Sequence, residues 1–206
     1  MSIAAILLAA GESTRMRRLK QLLPWGGTPL ITWQALQLRE AGVDDIIVVL
    51  GHAAEEIRAA VPADARIIVN ETYLQGRATS LRCGAEATPG DSEAVLILSA
   101  DQPRPAWLSR RLIERWRETH ALVVSPRFSQ TYGHPILIDG SLLGELRKVS
   151  DETLGLRAVI DRHLDRADSL PVANQAIDVD LNTPSDYEAA LAAFERGDWA
   201  EHYDSV

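Results

Sequence analysis

Short runs that are apolar throughout alternate with stretches whose apolar residues recur at helical spacing. The strand-like runs are Ile3–Ala10, Asp45–Leu50, Arg66–Val69, Val95–Ser99 and Leu122–Ser125. An apolar residue at nearly every position is what a strand covered on both faces requires. Helices are predicted between them over Leu30–Ala41, Ala53–Ala60, Ala78–Ala87 and Trp107–Thr119. The last carries Leu108, Leu112, Ile113 and Trp116 on one stripe. Repeated strand–helix units predict an α/β fold with a mostly parallel central sheet and helices on both faces. After Gly133 the rhythm changes: Pro135–Ile138 reads as a strand, Ser141–Val149 and Leu154–His163 as helices, and Pro184–Arg196 as a closing helix. No internal repeat or low-complexity linker interrupts the chain. The reading is one domain over residues 1–196 and an acidic tail over 197–206 that is expected to fray.

Length and composition narrow this picture. At 206 residues a single domain is the natural expectation. The net charge of −8, from 21 basic and 29 acidic residues, does not favour a nucleic-acid partner. One cysteine, Cys83, excludes an intrachain disulfide and a Cys-rich zinc site. No apolar run approaches the roughly 20 residues of a membrane span. The first run lacks a preceding basic region, so it is not read as a signal peptide, and the expected location is cytoplasmic.

Open parallel sheets bind ligands beyond the carboxyl ends of their strands. The first strand runs into Leu8-Ala9-Ala10-Gly11-Glu12-Ser13-Thr14-Arg15-Met16, with Lys20 following. Small residues there let a backbone approach a ligand, and exposed N–H groups can receive phosphate oxygens. Arg15 and Lys20 add positive charge, and Lys20, as a loop lysine, is expected to have few packing contacts. The loop is neither a Walker A motif nor a dinucleotide fingerprint. Two readings stand: a tight strand-to-helix turn with solvated basic residues, or a phosphate cradle. The strand Val95–Ser99 ends at Asp101-Gln102-Pro103, where the carboxylate is either a turn residue or a ligand at the binding edge. Near the C-terminus, Thr183, Pro184 and Asp186 read as a helix start. Asp178, Asp180 and Asn182 alternate before it, and in an extended segment alternate residues face one side. They could converge on a cation, with Asp178 the one better read as solvated.

Leu8-Ala9-Ala10-Gly11-x-Ser13-x-Arg15-Met16, then Lys20-Gln21-Leu22-Leu23-Pro24, then Gly27-x-Pro29-Leu30 resemble the signature of the NTP-transferase superfamily. Within it the sequence is most similar to the MobA-like branch of molybdenum-cofactor cytidylyl- and guanylyltransferases. Sugar-nucleotide pyrophosphorylases and the cytidylyltransferase of isoprenoid synthesis share the broader pattern. The resemblance covers residues 1–195 in motif order and implies a Rossmann-like, three-layer nucleotide-diphospho-sugar transferase fold. It implies that Leu8, Ala9, Ala10 and Gly11 hold the nucleotide and that Arg15 and Lys20 bind the triphosphate and stabilise the leaving pyrophosphate. Asp101, in an Asp-Gln-Pro very like that of the cofactor enzymes, is the implied Mg²⁺ carboxylate. Aligned on Thr183-Pro184, Asp180 and Asn182 fall on the second metal motif.

Asn70 through Leu81 resemble the branch's Asn-Pro-x-Trp-x-x-Gly-Met-Gly-Ser-Ser-Leu, which implicates Asn70, Gly76 and Ser80 in nucleotide binding, with ordinary capping by Thr79 or Ser80 the alternative. Gly133-His134-Pro135 resembles the branch's Gly-His-Pro and makes His134 the acceptor-side candidate. His52 is read as a loop residue, and His120, His163 and His202 as surface or helix-end residues. Four departures stand out: Arg17 where the family carries glycine, Arg77 where the branch carries methionine, Ala78 where the branch carries its second glycine, and Asn182 where the cytidylyl form carries aspartate. Arg17 either tightens the loop or adds a phosphate contact. The implied reaction moves CMP or GMP from CTP or GTP to a phosphorylated acceptor, molybdopterin, with a molybdoenzyme as a possible partner. The alternatives are a sugar phosphate or other small phosphorylated acceptor, and a nucleotide-binding cofactor-delivery protein without turnover.

Overall fold

The computed structural model describes residues 2–201. The strands are β1 (Ile3–Ala9), β2 (Pro24–Trp25), β3 (Thr28–Pro29), β4 (Asp45–Leu50), β5 (Arg66–Val69), β6 (Ala94–Ser99), β7 (Val123–Phe128), β8 (Thr131–Tyr132), β9 (Ile136–Asp139) and β10 (Ala167–Pro171). The helices are α1 (Leu30–Glu40), α2 (Ala54–Arg58), α3 (Arg77–Ala87), α4 (Ala106–Thr119), α5 (Leu143–Leu146), α6 (Leu156–Arg162) and α7 (Pro184–Glu195). The sheet runs β10-β7-β9-β6-β1-β4-β5, with β8 on β7 and β2–β3 a separate small ribbon. β1 pairs parallel with β4 and β6, β4 with β5, and β7 with β10. β9 is inserted antiparallel between β6 and β7.

Period-two alternation sorts each central strand between two cores. Ala5, Leu7, Ile46, Val48, Leu50, Leu96 and Leu98 face α1 and α4, where Ile31, Leu38, Leu108, Leu112 and Ile113 cover them. Ile6, Ile47, Val49, Val95 and Ile97 face α3, α5 and α6, where Leu81, Ala85, Leu143, Leu146 and Val159 cover them. Burying each Ile, Leu or Val side chain is worth about 1.5–3 kcal/mol, which is why β1, β4 and β6 tolerate almost no polar residue.

One strand goes unforeseen and two expectations need correction. β10, which reads Ala-Asp-Ser-Leu-Pro, escapes the hydrophobic pattern because it is an edge strand with only Leu170 buried. The two helices expected after Gly133 are shorter, since Leu154 (φ 62) and Gly155 (φ 56) are left-handed and delay α6. The tail does not fray at its start. Trp199 is 6% exposed, stacks near Trp25 and Phe194, and its carbonyl accepts from Trp107 Nε1 at 2.9 Å. An aromatic residue outside any helical period gave no sign of this docking. His202 and the last four residues lie outside the described residues. No helix among the described residues is long and apolar enough to cross a membrane.

Candidate active site at the carboxyl ends of β1 and β6

Leu8 of β1 lies beside Ser99 of β6, so the chains leaving the two strands emerge next to each other. Between them is a cleft of about 240 Å³. Leu8, Ala9, Ala10 and Gly11 line one side and Ser99, Ala100 and Asp101 the other, with Lys20, Arg77 and Ser80 also in its walls. The loop after β1 makes a single helical turn, Thr14–Met16, flanked by Ser13 (φ 56) and Arg17 (φ 54). Arg17 therefore occupies left-handed backbone, which glycine adopts freely and arginine adopts at a cost of about 1 kcal/mol. That conformational demand accounts for a glycine at this place in the family. Gln21, 3% exposed, donates from Nε2 to Ala9 O at 2.8 Å and to Gly11 O at 3.3 Å, which fixes the base of the loop.

Lys20 is not a free loop lysine: it is 8% exposed. Its ammonium donates to Asp101 Oδ2 at 3.0 Å and to Asn182 Oδ1 at 3.3 Å. Arg15 Nη2 reaches the same Asn182 oxygen at 2.9 Å. Asn182 arrives there because Leu181 is buried in the third apolar cluster, with Trp25 and Trp33, and its N–H donates to Asp101 O at 2.9 Å. The segment is not extended as period-two alternation assumed. Asn182 N donates to Asp180 O at 2.9 Å, closing a tight turn. Asp180 and Asn182 consequently meet different partners, Asp180 Oδ1 accepting from Gln102 Nε2 at 2.6 Å. Asp178 is exposed. The capping box on α7 is as read: Asp186 N donates to Thr183 Oγ1 and Thr183 N to Asp186 Oδ2.

The oxygens of Asp101 and Asn182 share one cation, the Lys20 ammonium. One carboxylate and one amide carbonyl are hard oxygen donors of the kind Mg²⁺ takes when substrate phosphates complete its shell. Among the described residues no three His, Cys, Asp or Glu side chains gather to hold a metal ion. The donor set therefore fits a metal carried largely by its nucleotide.

Two buried polar residues that motif reading missed hold this edge in shape. Gln34, fully buried on α1, donates from Nε2 to Ser99 O and Gln102 O and accepts from Arg104 N. Arg104, 2% exposed, donates to the carbonyls of Pro103, His134, Ile177 and Val179. One guanidinium thus ties together the turn after β6, the turn before β9 and the C-terminal motif. Burial lowers its pKa to about 10, against the opposing pull of Asp180, Asp101 and Asp178. An arginine next to a proline in a loop carries no period or motif, so only the fold shows this role.

Asn70 and Gly76 do not line the cleft. Asn70, 2% exposed, donates to Thr79 Oγ1 and Ser80 Oγ and accepts from Thr72, tying the loop after β5 to α3. Gly76 has φ 127, and a Cβ there would strike the Asp151 carboxylate, which accepts from Ala78 N at 3.0 Å. Ser80 does line the cleft, held by Asn70. His134 stands in an adjoining cleft of about 270 Å³ with Arg77 and Ser99. Burial, then Arg104 and Arg77, push its pKa down to about 4 against the pull of Asp180 and Asp101, so the imidazole is neutral near pH 7. Gly133 is required by packing, since a Cβ there would stand 2.8 Å from Ile177 O.

Known proteins are similar to this chain in sequence and in fold. The Bifunctional protein GlmU of Geotalea uraniireducens is 32% identical over 159 residues, covering 73% of this chain and 34% of GlmU. The chain therefore spans about a third of that relative's length. Rv0371c from Mycobacterium tuberculosis superposes with a TM-score of 0.81 at 28% identity, over 93% of this chain and 98% of that one, and its structure is also known as a complex with manganese. A nucleotidyl transferase from Methanothermobacter thermautotroptrophicus superposes with a TM-score of 0.81 at 25% identity, over 95% and 99% of the two chains. The family model described as the MobA-like NTP transferase domain matches residues 5–167, and with the first-loop signature and the sheet order in agreement, this chain belongs to that family.

Proposed function

We propose that this protein transfers CMP or GMP from an NTP to the phosphate of an acceptor, molybdopterin, and releases pyrophosphate. The observation that carries the reading is the convergence of Lys20, Arg15, Asp101 and Asn182 on one point at the edge of the nucleotide cleft. An acceptor phosphate oxygen bonds to the α-phosphorus as the bond from that phosphorus to the β-phosphate bridging oxygen breaks. No covalent enzyme intermediate is needed. The backbone of Ala9–Gly11 lies along the cleft to seat the nucleotide, and Gln21 keeps it in place. Lys20 and Arg15 neutralise charge building on the pyrophosphate, where preorganised cations act most strongly. Asp101 and Asn182 would hold Mg²⁺, which supplies further charge neutralisation on the phosphates when bound. His134, neutral, offers a hydrogen-bond donor on the acceptor side without taking a proton near pH 7.

The Asp101-Gln102-Pro103 and Gly133-His134-Pro135 motifs support molybdopterin as the acceptor. A sugar phosphate is the second reading, because the first-loop signature is shared with sugar-nucleotide pyrophosphorylases. Pyrophosphate release measured with each NTP, against molybdopterin and against hexose 1-phosphates, tests both. The expected result is release with CTP or GTP and molybdopterin. Release only with a sugar phosphate moves the assignment to the second reading, and nucleotide binding without pyrophosphate release with any acceptor leaves a nucleotide-binding protein.

A further inference from the structure

Arg104 is the most deeply buried charged side chain among the described residues, and no carboxylate among them stands within ion-pair distance of it. Taking a guanidinium out of water is expensive, and an apolar side chain of similar volume would avoid the cost. What the guanidinium offers instead is direction, since its N–H groups lie fixed in one plane. Nε donates to His134 O at 2.8 Å, Nη1 to Pro103 O at 3.0 Å and Val179 O at 2.9 Å, and Nη2 to Ile177 O at 2.7 Å. Every one of these acceptors is a backbone carbonyl, so the bonds act on the course of the chain.

Each carbonyl belongs to a segment with a different task. Pro103 lies in the turn that opens with Asp101. Ile177 and Val179 lead into the tight turn that brings Asn182 Oδ1 to 3.3 Å from the Lys20 ammonium. His134 lies in the turn before β9 and lines the adjoining cleft, not the nucleotide cleft. The last two segments also meet directly. A Cβ on Gly133 would stand 2.8 Å from Ile177 O, the oxygen that accepts from Nη2. Packing keeps these two segments from closing on each other, and the guanidinium keeps them from parting.

We propose that Arg104 is a positioning residue that couples the two sides of the site: it fixes Asn182 relative to Asp101 through Ile177 and Val179, and it transmits a displacement of that turn to the turn of His134. Asn182 leaves Lys20 when it takes up a metal-bound triphosphate, so binding at the nucleotide cleft is felt at Gly133–Pro135, outside that cleft. Turns packed against each other and joined by directed bonds move as one unit, which is how one site biases another. This rests on the nucleotide site proposed above and adds a link that none of the motif residues supplies.

The test combines amide hydrogen exchange of the full chain with Mn²⁺ binding read by electron paramagnetic resonance, using CTP and GTP as probes. In the wild type, Mn²⁺ with nucleotide is expected to slow exchange over residues 176–183 and also over 131–137. Arg104→Met is expected to raise exchange in both stretches without nucleotide, to weaken Mn²⁺ in the presence of nucleotide about tenfold, and to abolish the effect of nucleotide on 131–137. Arg104→Lys keeps the charge with three donors and is expected to recover part of the Mn²⁺ affinity. Leu112→Ala, in the core under α4, controls for lost stability and is expected to keep both the affinity and the coupling. Gly133→Ala probes the link from the other end with Arg104 in place. Its Cβ presses on Ile177 O, and it is expected to weaken Mn²⁺ in the presence of nucleotide although Gly133 lies outside the nucleotide cleft. The proposal is overturned if nucleotide leaves 131–137 unchanged in the wild type, if Arg104→Met keeps the affinity or the coupling, or if Gly133→Ala binds Mn²⁺ and nucleotide as the wild type does. A chain that binds no nucleotide at all removes the nucleotide site instead. Exchange without nucleotide then decides the positioning role, and unchanged rates in either stretch of Arg104→Met overturn it.

Discussion

The ammonium of Lys20 stands 3.0 Å from Asp101 Oδ2, with the lysine side chain 9% exposed and the aspartate 34%. The cation proposed for the phosphates and the carboxylate proposed for the metal thus neutralise each other in this structure. Triphosphate and metal arriving together can replace both halves of this pair with stronger ones. Removing one half exposes the other. Lys20→Ala is expected to lower kcat/KM for the NTP by roughly 100-fold. It should also cost about 1 kcal/mol of stability, because Asn182 and Asp101 lose a shared donor. Steady-state kinetics and urea denaturation measure the two effects, and unchanged kinetics at limiting NTP would remove Lys20 from the mechanism.

Asp101→Asn keeps the size of the side chain and an oxygen for Lys20, and removes the charge a hard cation prefers. Divalent-dependent turnover is expected to fall by about 100-fold or more, with stability within about 0.5 kcal/mol of wild type. A Mg²⁺ titration of activity reads the first. Full turnover across that titration would make Asp101 a turn residue.

Asn182 supplies a neutral carbonyl where the cytidylyl form has a carboxylate. Asn182→Asp is expected to lower the Mg²⁺ concentration for half-maximal activity. Asp180→Ala is expected to raise it by less than any change at Asp101, since Asp180 is engaged by Gln102 rather than by Lys20. Equal insensitivity of both variants to Mg²⁺ would place the metal elsewhere.

His134 carries a pH signature. Its folded-state pKa, near 4, lies below the ordinary 6.5, chiefly through burial and then through Arg104 and Arg77. The unfolded chain therefore binds more protons between these values, so stability is intact above about pH 6.5 and is lost as the pH falls toward 4. The loss through this one group is about 3 kcal/mol over the whole interval. Thermal midpoints of wild type and His134→Gln between pH 7.5 and 4.5 should converge as the pH drops. Parallel curves would show that the imidazole is not held neutral.

Trp199 closes the third cluster from beyond α7. Deleting residues 197–206 is expected to destabilise the protein by about 3 kcal/mol, the cost of removing a buried tryptophan, and Trp199→Ala to reproduce most of that loss. Denaturant midpoints check it, and a truncated chain as stable as the full one would return this segment to the status of a tail.

The hydrophobic pattern by itself determined the layered α/β fold and the parallel core of its sheet, because β1, β4 and β6 are buried on both faces and their residues are apolar at nearly every position. It also pointed to the edge where Gly11 and Asp101, each just beyond a strand, line one cleft, since strand ends of a parallel sheet share one edge. What lay beyond it has a common physical cause: contacts between segments distant in sequence leave no period. The docking of Leu181 on Asp101, which delivers Asn182 to Lys20 while Asp180 goes to Gln102, depends on a tight turn that alternation does not foresee. Asn70, a nucleotide-binding candidate in the sequence, braces a loop against α3 through side-chain hydrogen bonds that no motif announces. Arg104 and Gln34, with no motif around them, hold the edge together through backbone carbonyls, and Trp199 reached the core from a segment that composition marks as acidic and terminal. The left-handed backbone at Arg17 was likewise decided by the tertiary fold, which bends the loop there whether or not a glycine is present.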